Sequence, residues 1–212
     1  MKHLKLPILY HSFSFKSLII ALGFLSIFAI SSCSKDDDDD DTKQEQENVY
    51  NEEDPLDKFY ELSGFTVTSN FVNSGSYEFG LAFTPLVKGK IKALKLKLPA
   101  VNNNVRVTIW DYDSKSVIRT EVMGTTVANQ QAIKTIPELI LEKNKKYLIT
   151  MNSDDWYRRI RSDNANANYP ITAGNIQFHE YRWLSGAAQV FPTIVSQNYN
   201  AGDITFSFQQ ID

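Results

Sequence analysis

Ile91-Lys92-Ala93-Leu94-Lys95-Leu96-Lys97-Leu98 is the stretch that decides the fold, because lysines are interleaved there with apolar residues. In a β-strand successive side chains point to opposite faces, so this pattern predicts a strand with one buried face and one face in water. The period is close to two residues rather than the 3.6 of a helix. The stretch therefore indicates a sheet that covers a core on one side.

The same alternation recurs on both sides of this stretch, and turn residues separate the segments. Separators such as Asn73-Ser74-Gly75 and Asn102-Asn103-Asn104 recur at a spacing close to the ~8–12 residues typical of sandwiches and barrels. We predict an all-β fold, an antiparallel β-sandwich of jelly-roll type with about nine strands, and a short helical turn at 56–62. The other predicted strands are 65–68, 79–83, 105–112, 116–122, 132–141, 147–151, 175–183 and 203–208.

The first 32 residues have the composition of a bacterial export signal. Three lysines precede an apolar run, Ser17–Ile30, of fourteen residues. An export signal has an apolar run of ~7–15 residues, whereas a membrane-spanning helix needs ~20. Ile30-Ser31-Ser32-Cys33 resembles the lipobox of bacterial lipoproteins, which implies cleavage before Cys33 and a membrane anchor of acyl chains on that cysteine. The alternatives are an uncleaved helical anchor and an ordinary thiol at Cys33, the single cysteine of the chain.

An acidic segment follows the cysteine. Asp36–Asp41 is a run of six aspartates, and residues 33–57 carry twelve acidic side chains against two lysines. Like charges repel and few apolar residues are present, so we predict a disordered linker over 33–57. The run resembles the surface-export signal of Bacteroidetes lipoproteins, which implies the outer face of the outer membrane. A solubilising spacer and calcium capture by the aspartates are the alternatives.

Residues 58–212 then form the predicted β-sandwich domain. They carry 17 basic against 13 acidic residues, too small an excess to indicate a nucleic-acid partner. A zinc site needs several His or Cys, and His179 is the single histidine after residue 32. Its neighbours alternate, so we predict a surface or half-buried strand histidine rather than a catalytic base. No nucleophile elbow is present, and we expect no enzyme activity.

One stretch, 153–173, shows no strand pattern. A loop longer than ~12–15 residues in a compact domain is usually functional or disordered. Tryptophan and tyrosine stack on sugars and dominate protein interfaces, so we predict a ligand-binding loop with Trp156 exposed. We expect Trp110 in the core and leave Trp183 open between core and surface. The predicted ligand-binding residues are Trp156, Tyr157, Arg158, Arg159, Tyr169 and Trp183.

The acidic residues of this stretch allow two further hypotheses. Asp154, Asp155 and Asp163 are candidate calcium ligands, although Asp is also an ordinary turn former. Asp154, Asp155 and Glu180 are candidate carboxylates of a glycoside hydrolase, and Asp154 and Asp155 are adjacent in the sequence. Apart from calcium, the sequence predicts no cofactor.

The chain carries an ordered series of short motifs: Glu78–Pro85, Gly89–Ile91, Val107–Asp111, Leu141 and Lys145–Leu148. This series resembles a bacterial domain family of unknown function. Members occur in secreted and surface proteins beside carbohydrate-active or Ig-like modules. The resemblance runs from about Tyr77 to Met151 and implies a β-sandwich with a role in binding or adhesion. It implies no catalytic residues.

These observations lead to three hypotheses. The first is a lipid-anchored cell-surface module that binds a glycan or a partner protein through the aromatic and basic loop. The second is a structural accessory subunit of an outer-membrane complex. The third is the hydrolase. The binding hypothesis predicts that Trp156, Tyr169 and Trp183 surround one concave surface.

Overall fold

The structure, a computed structural model, describes residues 48–124 and 126–212. The predicted signal peptide, Cys33 and Asp36–Asp41 lie outside these residues. No helix in the described part has the length and apolar character needed to cross a bilayer. The described residues form the helix α1 (Leu56–Ser63) and the strands β1 (Glu52–Glu53), β2 (Val67–Phe71), β3 (Tyr77–Pro85), β4 (Gly89–Lys97), β5 (Arg106–Asp111), β6 (Val117–Val122), β7 (Gln131–Leu141), β8 (Tyr147–Ser153), β9 (Trp156–Ile160), β10 (Ile171–Ala173), β11 (Ile176–Ser185), β12 (Ile194–Ser196), β13 (Tyr199–Ala201) and β14 (Asp203–Gln210).

The strands pair in three antiparallel sheets. A four-stranded sheet has the order β1-β14-β4-β7, and a seven-stranded sheet has the order β10-β11-β3-β8-β5-β6 with β12 paired to β11. A three-stranded sheet has the order β13-β9-β2. The two larger sheets face each other across the core, where the ring centroids of Phe83 (β3) and Phe206 (β14) lie 4.8 Å apart. The predicted all-β sandwich is confirmed, with more strands than the nine expected.

Strand β4, which decided the prediction, contains a bulge. In its pairing with β14, Ile91 lies opposite Phe208 and Ala93 lies opposite Ser207, so β4 carries one extra residue, Lys92. The bulge adds one residue, so Leu94 and Leu96 return to the buried face while Lys95 and Lys97 stay half-exposed on the other. The alternation of polar and apolar residues is interrupted at Lys92-Ala93-Leu94. This interruption marks a bulge within β4, and the strand continues beyond it.

The stretch 153–173 is not the loop that we predicted. Trp156–Ile160 forms β9, the central strand of the three-stranded sheet, and Ile171–Ala173 forms β10. Trp156 lies opposite Phe71 of β2, and Arg158 lies opposite Ala201 of β13. One face of β9 carries Tyr157 and Arg159, which forms an ion pair with Asp203, and the other carries Trp156 and Arg158. Each face mixes an aromatic and a basic residue, so the apolar–polar alternation that identifies a half-buried strand is missing from the sequence of β9.

The folded part also begins before residue 58. Glu52 of β1 pairs with Gln209 of β14 and Glu53 pairs with Phe208, and the Glu52 side chain accepts a hydrogen bond from Lys92. Asp54 Oδ2 lies 3.2 Å from Lys95 Nζ, and its Oδ1 accepts a hydrogen bond of 2.8 Å from Thr205. The predicted linker boundary at residue 57 is therefore wrong, because the last acidic residues pair with the lysines of β4. The predicted helical turn is confirmed as α1.

Candidate functional site

The structure contains a cavity of about 260 Å³ between the three-stranded sheet and one end of the seven-stranded sheet. We call it the aromatic cavity. Its deeper wall consists of buried residues and its rim of half-buried ones, so the rim opens to solvent. The buried residues are Phe79, Trp156, Tyr181 and Ala201, and the half-buried ones are Phe71, Tyr77, Arg158, Trp183 and Tyr199.

The two-residue period of neighbouring strands brings these side chains together. Tyr77 and Phe79 are two residues apart on β3, and Tyr181 and Trp183 are two apart on β11. Trp183 lies directly opposite Phe79 in the register of the two strands. All four side chains therefore share the inner face of the seven-stranded sheet. Sequence analysis missed Tyr77, Phe79 and Tyr181. The two-residue spacing shows which side chains of one strand share a face, but the register of the paired strands is needed to show which side chains lie next to each other.

Trp156 is a wall of the cavity rather than an exposed contact residue. Its ring stacks on Phe71 at 5.5 Å between centroids and 6° between planes. The ring edge meets Tyr77 at 5.1 Å. Only 8% of the residue is exposed, so the prediction of an exposed Trp156 is wrong. Charged neighbours in the sequence misled that prediction, because alternate residues of β9 face opposite sides.

The sequence left open whether Trp183 lies in the core or at the surface, and in the structure it lies at the rim of the aromatic cavity. The residue is half-buried, and its ring centroid lies 5.9 Å from that of Tyr77. Its Nε1 donates a hydrogen bond of 3.3 Å to Ser196 Oγ, which fixes the orientation of the indole. Trp110, by contrast, is 3% exposed and belongs to the core, as predicted.

Arg158 brings a positive charge to the aromatic cavity. Its guanidinium carbon lies 4.7 Å from the centroid of the Tyr199 ring, a cation–π contact. Among the described residues, no acceptor hydrogen-bonds to its guanidinium, and its Nε is shielded from solvent. Within residues 48–124 and 126–212, no acidic residue lines the cavity. The site thus combines aromatic faces with one positive charge that has no carboxylate partner in the described part of the chain.

Tyrosine hydroxyls supply further polar groups. Tyr77, Tyr181 and Tyr199 line the cavity, and each hydroxyl can donate one hydrogen bond and accept others. Burial raises the pKa of Tyr181 well above its ordinary value, and the nearby Tyr199 and Tyr169 raise it further. The Tyr181 hydroxyl therefore stays protonated at neutral pH and can donate a hydrogen bond.

Three of the six predicted ligand-binding residues do not line the cavity. Tyr157 faces the opposite side of β9, where its hydroxyl lies 3.3 Å from Leu98 O. Arg159 lies on the same side as Tyr157 and pairs with Asp203. Tyr169 packs on Phe59 of α1 at 6.1 Å between ring centroids. Trp156, Arg158 and Trp183 meet around one concave surface, but Tyr169 does not join them.

The three predicted calcium ligands are not brought together. Asp154 Oδ1 accepts a hydrogen bond of 3.1 Å from Asn102, and Asp155 Oδ1 accepts one of 2.9 Å from the Asn73 backbone N–H. Asp163 forms two hydrogen bonds with Arg161, at 2.9 and 2.7 Å. In the described part of the chain, no three His, Cys, Asp or Glu side chains converge to hold a metal ion.

The carboxylates proposed for hydrolysis are also separated. Glu180 lies opposite Ala82 of β3, whereas Ser153, two residues before Asp155, lies opposite Tyr77. Five residues of a strand span about 17 Å, beyond the ~5–9.5 Å of glycosidase carboxylates. Glu180 accepts a hydrogen bond of 2.6 Å from Arg182.

His179 also lies away from the aromatic cavity. Its Nε2 is 2.8 Å from Thr84 Oγ1, and the residue is half-buried at a bulge in β11, in agreement with the predicted strand histidine. Burial lowers the pKa of His179, Lys146 lowers it further, and Glu180 opposes them.

Together, the fold and this geometry define an all-β protein with an aromatic, positively charged cavity at the junction of two sheets. No protein-family model matches the chain, and no curated protein is similar to it. The resemblance to a family of surface domains therefore stays a prediction.

Proposed function

We propose that this protein is a lipid-anchored cell-surface binding module whose aromatic cavity holds one sugar ring of a glycan. The observation that carries the proposal is the meeting of aromatic faces with hydrogen-bond donors, among them an arginine that has no partner in the described part of the chain. Trp156, Trp183 and Tyr77 supply the faces. Arg158, whose Nε has no partner among the described residues, supplies donors, and the Tyr181 hydroxyl at the cavity wall supplies another.

A sugar ring has the chemistry that complements this cavity. Its C–H faces are apolar and stack on aromatic rings, while its hydroxyl groups accept and donate hydrogen bonds around the edge. A buried polar group without a partner costs about 1–3 kcal/mol, which a ligand hydroxyl offsets. Pockets for drug-sized ligands measure about 300–1,000 Å³, so a cavity of about 260 Å³ suits a single ring rather than a long chain.

The location in the proposal rests on the N-terminal sequence. The lysines, the apolar run and Cys33 support export and acylation, and Asp36–Asp41 supports display on the outer face of the outer membrane. A folded part that begins near Glu52 leaves about twenty residues after Cys33. Such a linker spans up to ~65 Å when extended, so the cavity is able to reach glycans beyond the membrane surface.

A glycan array tests this function. The purified protein in detergent is compared with Trp183→Ala, which removes a half-buried rim residue. We expect at least a tenfold loss of affinity for the bound glycans, because one stacking face is lost. Tyr112→Ala is the matched control, since Tyr112 is also a half-buried aromatic but packs against Phe191 in a separate cluster. The control should bind like the wild type.

Two outcomes would contradict the proposal. Equal binding by wild type and Trp183→Ala would show that the glycan does not bind in the aromatic cavity. Absence of any bound glycan, together with co-purification of an outer-membrane protein, would favour the accessory-subunit hypothesis instead.

A further inference from the structure

Arg158 differs from every other arginine of the described chain. Arg106, Arg159, Arg161 and Arg182 each form an ion pair with a carboxylate, and Arg119 donates to the backbone oxygen of Pro137 at 2.6 Å. Arg158 alone among them has neither a carboxylate nor a hydrogen-bond acceptor within the described residues. Its one specific contact there is the Tyr199 ring. The unpaired arginine is also the one that lines the aromatic cavity.

The surroundings of Arg158 strengthen the electrostatic attraction between its charge and an anionic ligand. Of the nine lining residues that the described ranges contribute, eight are aromatic or aliphatic and none is acidic. Apolar walls exclude water and lower the local dielectric constant, so a single charge acts more strongly there than on an open surface. The Nε donor of Arg158 is shielded from water and has no acceptor among the residues that the structure describes. The two Nη groups remain for a ligand, and a planar guanidinium binds anionic oxygens in pairs.

We infer that the sugar bound in the aromatic cavity carries an anionic group, a carboxylate or a sulfate, which pairs with Arg158. This inference rests on the proposed function and adds the chemical class of the ligand. Trp156 and Trp183 stack on the ring, and Arg158 neutralises its charge. The Tyr199 ring holds the guanidinium in place, so less conformational freedom is lost when the anion binds. A neutral sugar leaves the arginine unpaired and binds more weakly.

Matched pairs of oligosaccharides test the inference by calorimetry on the purified protein in detergent. The first pair is a trigalacturonate and its methyl ester, which differ in charge but keep the ring. The second pair is a sulfated galactose oligosaccharide and its desulfated form. We expect the anionic member of one pair to bind at least tenfold more tightly than its neutral partner. The pair that shows the preference identifies the anionic group.

Variants then assign the preference to Arg158. Arg158→Gln should reduce the preference to less than about twofold, and Arg158→Lys should keep part of it, since the charge is retained. Arg119→Gln removes the same charge from β6, outside the cavity lining, and should leave the preference unchanged. Circular dichroism and thermal unfolding show whether each variant is folded.

The outcomes separate this inference from the proposed function. Equal affinity for anionic and neutral sugars, with binding still lost in Trp183→Ala, overturns the anionic ligand and keeps the glycan-binding cavity. A preference that survives in Arg158→Gln overturns the role of Arg158. Absence of binding to any sugar contradicts the proposed function itself.

Discussion

Arg159 holds Asp203 through two parallel hydrogen bonds, from Nε to Oδ1 at 2.9 Å and from Nη2 to Oδ2 at 2.6 Å. The pair joins β9 of the three-stranded sheet to β14 of the four-stranded sheet. The Tyr60 hydroxyl of α1 donates a third hydrogen bond of 2.9 Å to Asp203 Oδ1. Asp203 raises the pKa of Arg159, so the guanidinium stays charged. Arg159 is thus a structural residue of the sandwich.

Removal of this arginine should destabilise the fold. Arg159→Met leaves Asp203, which is 4% exposed, without its charge partner. Breaking a buried ion pair on one side costs about 3–5 kcal/mol, and we expect about 3 because Arg159 is partly exposed. Urea denaturation measures the change in the free energy of unfolding. Lys58→Met is the control, since the Lys58–Glu61 pair is exposed and should change stability by less than about 0.5 kcal/mol. Equal losses in the two variants would contradict this account.

The two cavity tryptophans should differ in their effect on stability. Trp156→Ala removes a buried ring that contacts Phe71, Tyr77 and Phe79, and should lower the free energy of unfolding by about 3–5 kcal/mol. Trp183→Ala removes a half-buried ring and should cost less than about 2 kcal/mol. Thermal unfolding of both variants, followed by near-UV circular dichroism, checks the order. A larger loss of stability in Trp183→Ala than in Trp156→Ala would contradict the placement of Trp156 in the cavity wall and Trp183 at its rim.

Stability should fall as the pH drops from about 7 towards 5, in part because of His179. Its pKa is lowered in the folded protein, so the unfolded chain takes up a proton first, near pH 6.5. The stability that the neutral imidazole contributes is complete above the unfolded pKa and is lost as the pH falls through the folded pKa. Glu78 acts in the opposite direction, because burial raises the pKa of its carboxyl group. The difference between wild type and His179→Gln therefore isolates the histidine.

Urea denaturation at several pH values provides that comparison. The variant should lose less stability than the wild type over the same interval. Parallel curves for the two proteins would show that His179 does not titrate differently on folding.

Substitution of Cys33 should release the protein from the membrane. Cys33→Ala removes the thiol that the predicted lipobox presents for acylation, so the chain loses its acyl anchor. In a bacterial host, we expect the wild type in the membrane fraction with incorporated radiolabelled palmitate, and the variant without label. Ser34→Ala is the control and should remain labelled. An unmodified N-terminal peptide in the mass spectrum of the wild-type protein would overturn the lipoprotein assignment.

Much of the sheet structure was predictable because alternation is a local property. Lys95, Leu96 and Lys97 show which face of β4 is buried without any knowledge of its partners. Strand β9 was missed because its two faces contact different parts of the protein. Trp156 and Arg158 point into the cavity, while Arg159 reaches Asp203. No apolar–polar pattern exists in such a strand, so sequence reasoning interpreted it as a loop.

The candidate site was partly predictable for a different reason. Residue types identified Trp156, Arg158 and Trp183, since aromatic and basic groups suit ligand contacts. Their partners Tyr77, Tyr181 and Tyr199 come from strands that are distant along the chain. Nothing in the local sequence separates these tyrosines from ordinary core residues.

By itself, the sequence determined the all-β class, the buried faces of most strands and the expectation of a lipid anchor at Cys33, because each depends on neighbouring residues. The tertiary structure alone decided which side chains form the cavity. Trp183 meets Phe79, and Trp156 meets Phe71, through the register of paired strands. A shift of one residue in either pairing would turn every side chain to the other face, so long-range packing decides where the unpaired charge of Arg158 lies.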